Sequence, residues 1–503
     1  MSKQYRSTRS SEPQHLSFED VVMTGLAQDG GLFLPSEIPQ LDGNFLNEWK
    51  DLSFTELAFK ILRLYIDESE IPSEDLQELI ERSYSTFRSE DVTPLYKLND
   101  ELYLLELFHG PTYAFKDVAL QFVGNLFEYF LTRRNAKKST SEPRDTITVV
   151  GATSGDTGSA AIYGLRGKKD VDVFILYPTG RISPIQEQQM TTVADKNIHT
   201  LSVKGTFDDC QDIVKQIFGD AEFNSKYHVG AVNSINWARI LAQQTYYFYS
   251  YFQLVKVQPN AKVRFVVPSG NFGDILAGYY ATRMGLPADR LIIATNENDI
   301  LDRFMKTGRY EKNQDAGVKA TYSPAMDILI SSNFERLLWY LVRDSLSASG
   351  SKADEEAGKI LNDWMQQLKQ TGSVQVNEKV IEGARKLFAS EKVDDSQTVE
   401  TIKKVYNSNN YVLDPHTAVG VASSDRFIAK NEGAIYISLS TAHPAKFSEV
   451  VDRALSGIDG YSFEKDVLPD ELKALSTKEK RIKLIDEASL EKVKAAIIEE
   501  LSK

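Results

Sequence analysis

Phe54 to Tyr65 (FTELAFKILRLY) places its apolar residues three and four positions apart, and Leu76 to Ile80 repeats the spacing. Both stretches predict amphipathic helices with one buried face. Residues 1–95 are expected to form a mostly helical domain. Within it, Ser17-Phe-Glu-Asp20 reads as a helix start whose serine caps a backbone amide. From about residue 100 the period changes, and short apolar runs alternate with glycine-bearing turns and helical patterns. Ile147–Val150 predicts a strand, GATSGDTG (Gly151–Gly158) a turn, and SAAIYGLRG a helix. Val171–Tyr177 predicts a second strand. Phe265–Val267, then PSGNFG (Pro268–Gly273), then a helix from Asp274 repeats the plan. Leu291–Ala294 and Ile435–Leu439 add strands. Strand, turn and helix in alternation predict an α/β fold with parallel sheets. Residues 300–410 are charged and helically spaced, as in Phe334–Leu346, and are expected to be a helical insertion in an α/β core spanning 96–460. Residues 461–503 are rich in Lys and Glu and are expected to form a helical tail with a solvated face.

Composition narrows the function. A chain of 503 residues with net charge -13 exceeds what one core holds, and it disfavours nucleic acid and anionic membrane as partners. An anionic small substrate stays open, because local Lys and Arg override a global field. The single cysteine, Cys210, rules out an internal disulfide and a cysteine metal cluster, and the six histidines lack ligand spacing. No run approaches the length of apolar sequence that spans a bilayer. Met1–Ser11 carries Lys3, Arg6 and Arg9 without an acid, a faint likeness to a transit peptide, but it has no apolar core, and a cytoplasmic location is expected. The sequence assigns no oligomeric state.

Four clusters carry candidate chemistry. In ELFHGPTYAFKD (Glu106–Asp117), Lys116 follows a Gly-Pro-Thr turn at a helix start among aromatic residues. Burying an ammonium costs several kcal/mol or forces the lysine neutral, roughly as in other low-dielectric sites. A neutral amine can condense with an aldehyde, although a lysine there can also snorkel to the surface. PSGNFGD (Pro268–Asp274) sits between strand and helix, where two glycines let backbone amides approach an oxyanion at the helix start. GATSGDTG has the same placement, with hydroxyls suited to a carboxylate. Neither turn has the lysine of a Walker loop or the spacing of a dinucleotide fingerprint, and tight packing turns remain the alternative for both. ISLSTAHPAKF (Ile437–Phe447) puts Ser440 and Thr441 at the carboxyl end of a strand, where open α/β sheets bind ligands, with an ordinary capped turn as the alternative. In NSINWAR (Asn233–Arg239), Arg239 either forks onto a phosphate or faces solvent.

Taken together and in this order, the YRSTRS start, HGPTYAFKD, GATSGDTG, NSINWAR, PSGNFGDILAG and STAHPAKF resemble the threonine synthase family in its long fungal or bacterial type, over nearly the whole chain. The resemblance implies a tryptophan-synthase-β-like pyridoxal-phosphate fold (type II), with two α/β subdomains, an N-terminal helical domain and the helical insertion. It implies a carbon–oxygen lyase acting on phosphate, converting O-phospho-L-homoserine and water to L-threonine and phosphate in the last step of threonine biosynthesis. Carried over, Lys116 is the lysine that bonds pyridoxal 5′-phosphate. Gly270, Asn271, Phe272, Gly273 and Asp274 form the cofactor phosphate loop, and Thr441 faces the pyridine nitrogen. Ser154 and Thr157 lie near the substrate carboxylate, while Arg239 and Lys446 hold the leaving phosphate. Asp156 falls where many relatives carry Asn beside the cofactor 3′-oxygen; two anions there would repel unless a proton is shared. A related phospho-lyase that eliminates phosphate without making threonine is the alternative within the class. A non-catalytic anion-binding α/β protein is the alternative outside it.

Overall fold

A computed structural model describes residues 3–313 and 317–503; Met1 and Ser2 of the basic start, and residues 314–316 of the expected insertion, lie outside the described residues. Two sheets organise the chain. The larger has six strands, in the spatial order Phe388–Lys392, Ala288–Thr295, Val263–Pro268, Ile435–Ser440, Leu102–Glu106 and Leu95–Lys97. All its neighbours run parallel except the last pair. The smaller has five parallel strands, ordered Lys483–Ile485, Ile198–Val203, Val171–Pro178, Ile147–Ala152 and Val229–Gly230. Near-continuous apolar runs such as VDVFILYP suit strands covered on both faces.

The helix at Phe54–Tyr65 has the expected bounds, and a capping box closes it: Ser53 accepts from the Glu56 amide while the Glu56 carboxylate accepts from the Ser53 amide. Its buried residues are Phe54, Leu57, Ala58, Ile61, Leu62 and Tyr65, one face at helical spacing. They join a single apolar cluster that also contains Trp237, Phe272, Phe334 and Ile437. The N-terminal helices therefore share a core with the sheet-bearing part of the chain.

Two segments depart from their expected form. The stretch expected as a helical insertion contains Phe388–Lys392, an edge strand of the large sheet. Its sequence FASEK carries no apolar alternation, because an edge strand needs only backbone pairing on one side. The tail expected to be a solvated helix contributes the strand Lys483–Ile485 to the smaller sheet, and its last helix, Leu490–Leu501, buries Val493, Ala496 and Ile497 against that sheet. Leu490 and Leu501 pack partly against the same cluster, so an apolar stripe seats a helix that the Lys and Glu count had made look solvated.

Candidate active site

Three adjacent parallel strands of the large sheet end side by side: Val263–Pro268, Ile435–Ser440 and Leu102–Glu106. Each is followed by one of the chemistry-bearing motifs, so the topology alone gathers PSGNFGD, STAHPAKF and HGPTYAFKD at the carboxyl edge. Backbone bonds fasten the last two together, as the Phe115 amide donates to the Thr441 carbonyl at 2.8 Å and the His443 amide to the Tyr113 carbonyl at 3.0 Å.

The turn before Lys116 is built on Asp117. Its carboxylate accepts from the Thr112 amide at 2.8 Å and from the Thr112 hydroxyl at 2.7 Å. Gly110 fits because a Cβ there would lie 2.4 Å from the Asp117 Cβ. Lys116 then opens the helix Lys116–Ala136. The lysine is partly exposed by surface area yet surrounded by protein, and burial holds its ammonium down at about 8. The neighbouring Asp156 opposes that shift, while Arg239 and Lys446 add to it. A lysine in this state supplies a useful fraction of free amine near neutral pH.

Asp156 comes from the smaller sheet, at the start of the helix Asp156–Leu165. Burial alone would raise its carboxyl, but Lys446 and then Lys116 outweigh it and hold the group well below the usual carboxylate range. Lys446 is fully buried, its Nζ 2.6 Å from Asp156 Oδ1 and 2.8 Å from the Thr112 carbonyl. Gln186 Nε2 donates to the same Asp156 oxygen at 3.0 Å. Lys446 thus enters the site already paired, bridging the Gly-Pro-Thr turn and the GATSGDTG turn.

Arg239 sits near the start of the helix Trp237–Val257, and burial lowers its guanidinium to about 10. Its Nε and Nη1 are buried and make no hydrogen bond. A buried guanidinium with unbonded N–H groups fits an anion better than it fits solvent.

In the PSGNFGD turn, Gly270 is packed so closely that a Cβ would lie 3.0 Å from the Ala325 carbonyl oxygen and from the Met326 Cα. Phe272 takes a left-handed backbone, φ 67°, with its ring 5.1 Å from that of Phe334 and 5.9 Å from that of Phe388. The ring is core, so what this residue offers a ligand is its amide. The Asp274 side chain turns inward. Its Oδ1 accepts from the Tyr246 hydroxyl and, at 3.1 Å, from the Tyr247 hydroxyl, while Oδ2 is buried and unbonded. Burial raises this carboxyl to about 7, against the pull of both phenols. Asn271 and Ser154 are exposed and Thr157 is partly exposed, whereas Thr441 is nearly buried.

Sequence reading did not single out Gln186, Tyr246 and Tyr247. The two tyrosines lie in WARILAQQTYYFYSYF, where polar atoms recur inside a mostly buried helix, and such atoms need partners. His443, in STAHPAKF, proves to be a capping residue: its Nδ1 accepts from the Ala445 amide at 3.1 Å, and burial lowers it to about 3. Among the described residues no cluster of His, Cys, Asp and Glu could hold a metal, and no helix is long and apolar enough to cross a membrane.

The residues present fit a phosphate-bearing aldehyde. Lys116 is a depressed amine, the PSGNFGD turn leads into the start of the helix Gly273–Met284, whose first amides suit an oxyanion, and Arg239 has unbonded donors. Known proteins agree. The family model for the N terminus of threonine synthase matches residues 4–84, that for pyridoxal-phosphate dependent enzymes matches 86–434, and that for the threonine synthase C-terminal region matches 417–497. Threonine synthase of Saccharomyces cerevisiae is 66% identical over 100% of this chain and 99% of its own. The crystal structure of threonine synthase from yeast superposes with a TM-score of 0.96 at 65% identity, covering 99% of this chain and 98% of that one. The structure of PLP-bound threonine synthase from Brucella melitensis gives a TM-score of 0.87 at 41% identity, with 99% of both chains covered.

Proposed function

This chain belongs to the threonine synthase family of pyridoxal-phosphate enzymes, and from that premise we propose that it converts O-phospho-L-homoserine and water into L-threonine and phosphate with the residues gathered at the carboxyl edge of the large sheet. The observation that carries this reading is the placement of Lys116: a depressed amine within the fields of Asp156, Arg239 and Lys446, beside the strand ends that lead into the Gly270 turn.

Bound in this site, pyridoxal phosphate supplies an aldehyde for the substrate amine and a ring that withdraws electron density from the substrate Cα. The chain supplies the rest. The amides of Gly270–Asp274 cradle the cofactor phosphate at a helix N-terminus. The Thr441 hydroxyl faces the pyridine nitrogen without placing a full charge there. Lys116, freed as an amine, takes the Cα proton and serves as general base and acid in the later proton transfers at Cβ and Cγ. The unbonded Nε and Nη1 of Arg239 grip the substrate phosphate until it leaves Cγ. Ser154 and Thr157 offer hydroxyls to the substrate carboxylate. Lys446 acts with Asp156 as a neutral pair, so the pocket's spare positive charge rests on Arg239 and Lys116. We place the reaction in the cytoplasm, which cell fractionation would check.

The test is product analysis. Purified protein given O-phospho-L-homoserine should release phosphate and L-threonine in equal amounts. Phosphate release with a keto acid and ammonia in place of threonine would assign the related phospho-lyase instead. Lys116→Ala should abolish both the visible absorption of the cofactor–lysine adduct and threonine formation.

A further inference from the structure

The segment Ser331–Arg336 (SSNFER) lies at the start of the helix Phe334–Ser345, inside the region whose sequence reads as an inert helical insertion. The side chains of Ser331, Asn333 and Arg336 do not face solvent. Ser331 is 2% exposed, and Asn333 and Arg336 are both 0% exposed. Each gives at least one donor to a backbone carbonyl of the Asn233–Arg239 loop or the PSGNFGD turn. Ser331 Oγ donates to the Gly270 carbonyl at 2.6 Å. The Asn333 amide donates to the Asn271 carbonyl at 2.9 Å, and Asn333 Nδ2 donates to the Ser234 carbonyl at 3.0 Å. Arg336 donates from Nη2 to the Ile235 carbonyl at 2.7 Å, from Nη1 to Asn333 Oδ1 at 2.6 Å, and from Nε to the Phe33 carbonyl at 2.7 Å. Tyr310 fixes the near end, its hydroxyl accepting from the Ser331 amide at 3.0 Å and lying 3.2 Å from the Ser331 carbonyl.

The consequence follows from peptide geometry. A trans peptide is planar, so its C=O and the following N–H point in opposite directions. Pinning the Gly270 carbonyl to Ser331 turns the Asn271 N–H away from the strap. Pinning the Asn271 carbonyl to the Asn333 amide turns the Phe272 N–H away in the same manner. Without these bonds either peptide could flip and present a carbonyl oxygen, which repels an anion. The left-handed backbone of Phe272 makes such control necessary, since a non-glycine residue in that region relaxes unless its surroundings hold it.

We propose that Ser331, Asn333 and Arg336 are positioning residues of the active site, which orient the peptide groups of Gly270–Phe272 so that their N–H groups meet the cofactor phosphate, and which fix the spacing of that turn from the Asn233–Arg239 loop. This inference rests on the reading of Gly270–Asp274 as the phosphate turn. Arg336 suits the task because its three bonds all go to carbonyl oxygens, so the guanidinium adds positive charge behind the turn.

The test uses the full-length enzyme, stripped and refilled with pyridoxal phosphate or with pyridoxal, which has the same ring and aldehyde but no phosphate. Affinities are read from visible absorbance. The wild-type protein should bind the phosphorylated aldehyde far more tightly. Ser331→Ala and Asn333→Ala should each weaken pyridoxal phosphate by roughly tenfold or more while leaving pyridoxal within about twofold, the effect of one or two misdirected charge-assisted bonds. Ser331→Thr, which keeps the donor, should behave as wild type. If both aldehydes weaken equally, or neither does, the strap is ordinary packing and the proposal falls. Should Asn333→Ala fail to fold, Ser331→Ala decides, since it removes one hydroxyl. If the wild-type protein itself does not distinguish the two aldehydes, the phosphate-turn reading fails first and takes the strap with it.

Discussion

The turns GATSGDTG and PSGNFGD share a plan: strand, glycine-bearing turn, and a helix whose first turn carries a buried aspartate. Asp156 is 8% exposed and Asp274 is 7% exposed. Burial pushes both carboxyls upward, and the outcomes are nonetheless opposite. Asp156 faces Lys446 at 2.6 Å and stays ionised. Asp274 faces two phenols, has no cation within bonding distance, and rises to about 7. Hydrogen bonds from neutral donors stabilise a carboxylate less than a cation does in a low-dielectric setting. Matching motifs at matching places in two sheets therefore carry different electrostatics. One turn keeps a fixed negative charge beside Lys116, and the other holds a carboxyl that gives up its proton only near neutral pH.

That contrast can be broken at several points. The largest effect should come from Lys446→Met, which strands a buried carboxylate and should cost about 3–5 kcal/mol in denaturant unfolding. Adding Asp156→Leu in the same chain should restore much of the loss; no restoration would mean that Lys446 matters for something other than the pair. The next effect belongs to Asp274. Its folded carboxyl lies near 7 against an ordinary 3.8, so the folded state binds the extra proton between those values. Its contribution is fully present below about pH 4 and is lost as pH rises through 7, an amount of at most about 4 kcal/mol. Asp274→Asn should remove that slope from the stability profile, and an unchanged slope would assign it to other groups. A smaller loss, about 1–2 kcal/mol, is expected for Tyr247→Phe, measured in the same way, because Tyr246 still serves the carboxylate. The finest test concerns Lys116. The rate at which the stripped enzyme captures pyridoxal phosphate should rise through a midpoint near pH 8, as ammonium gives way to amine. In Lys446→Met the midpoint should move upward, since a neighbouring cation is gone and Asp156 is freed to favour the ammonium. A downward move would contradict the placement of Asp156.

Where side chains repeat at a fixed period, the sequence was legible. FTELAFKILRLY gave its helix bounds directly, and the glycine turns after apolar runs located the carboxyl edge of both sheets. The residues around Lys116 left it open between a sheltered amine and a lysine that snorkels to the surface, and the family resemblance is what singled it out. What stayed hidden is of another kind. FASEK and the Lys483–Ile485 strand pair through backbone atoms at sheet positions that only the fold decides. Lys446 and Asp156 meet across two subdomains, and no local pattern announces a partner so distant in sequence. Ser331–Arg336 works on carbonyl oxygens, which every residue has, so its side chains look like any polar helix start.

The apolar cluster that joins the N-terminal helices to the sheets has a practical bearing. Phe18, Leu57 and Ile61 belong to the same packed mass as Trp237 and Phe272, and so to the packing behind the Asn233–Arg239 loop and the PSGNFGD turn. The N-terminal helices are built into that mass. Trimming them to obtain a smaller catalyst would remove the ground on which those two loops stand, and a shortened enzyme would need that lost surface replaced before it could fold as this one does.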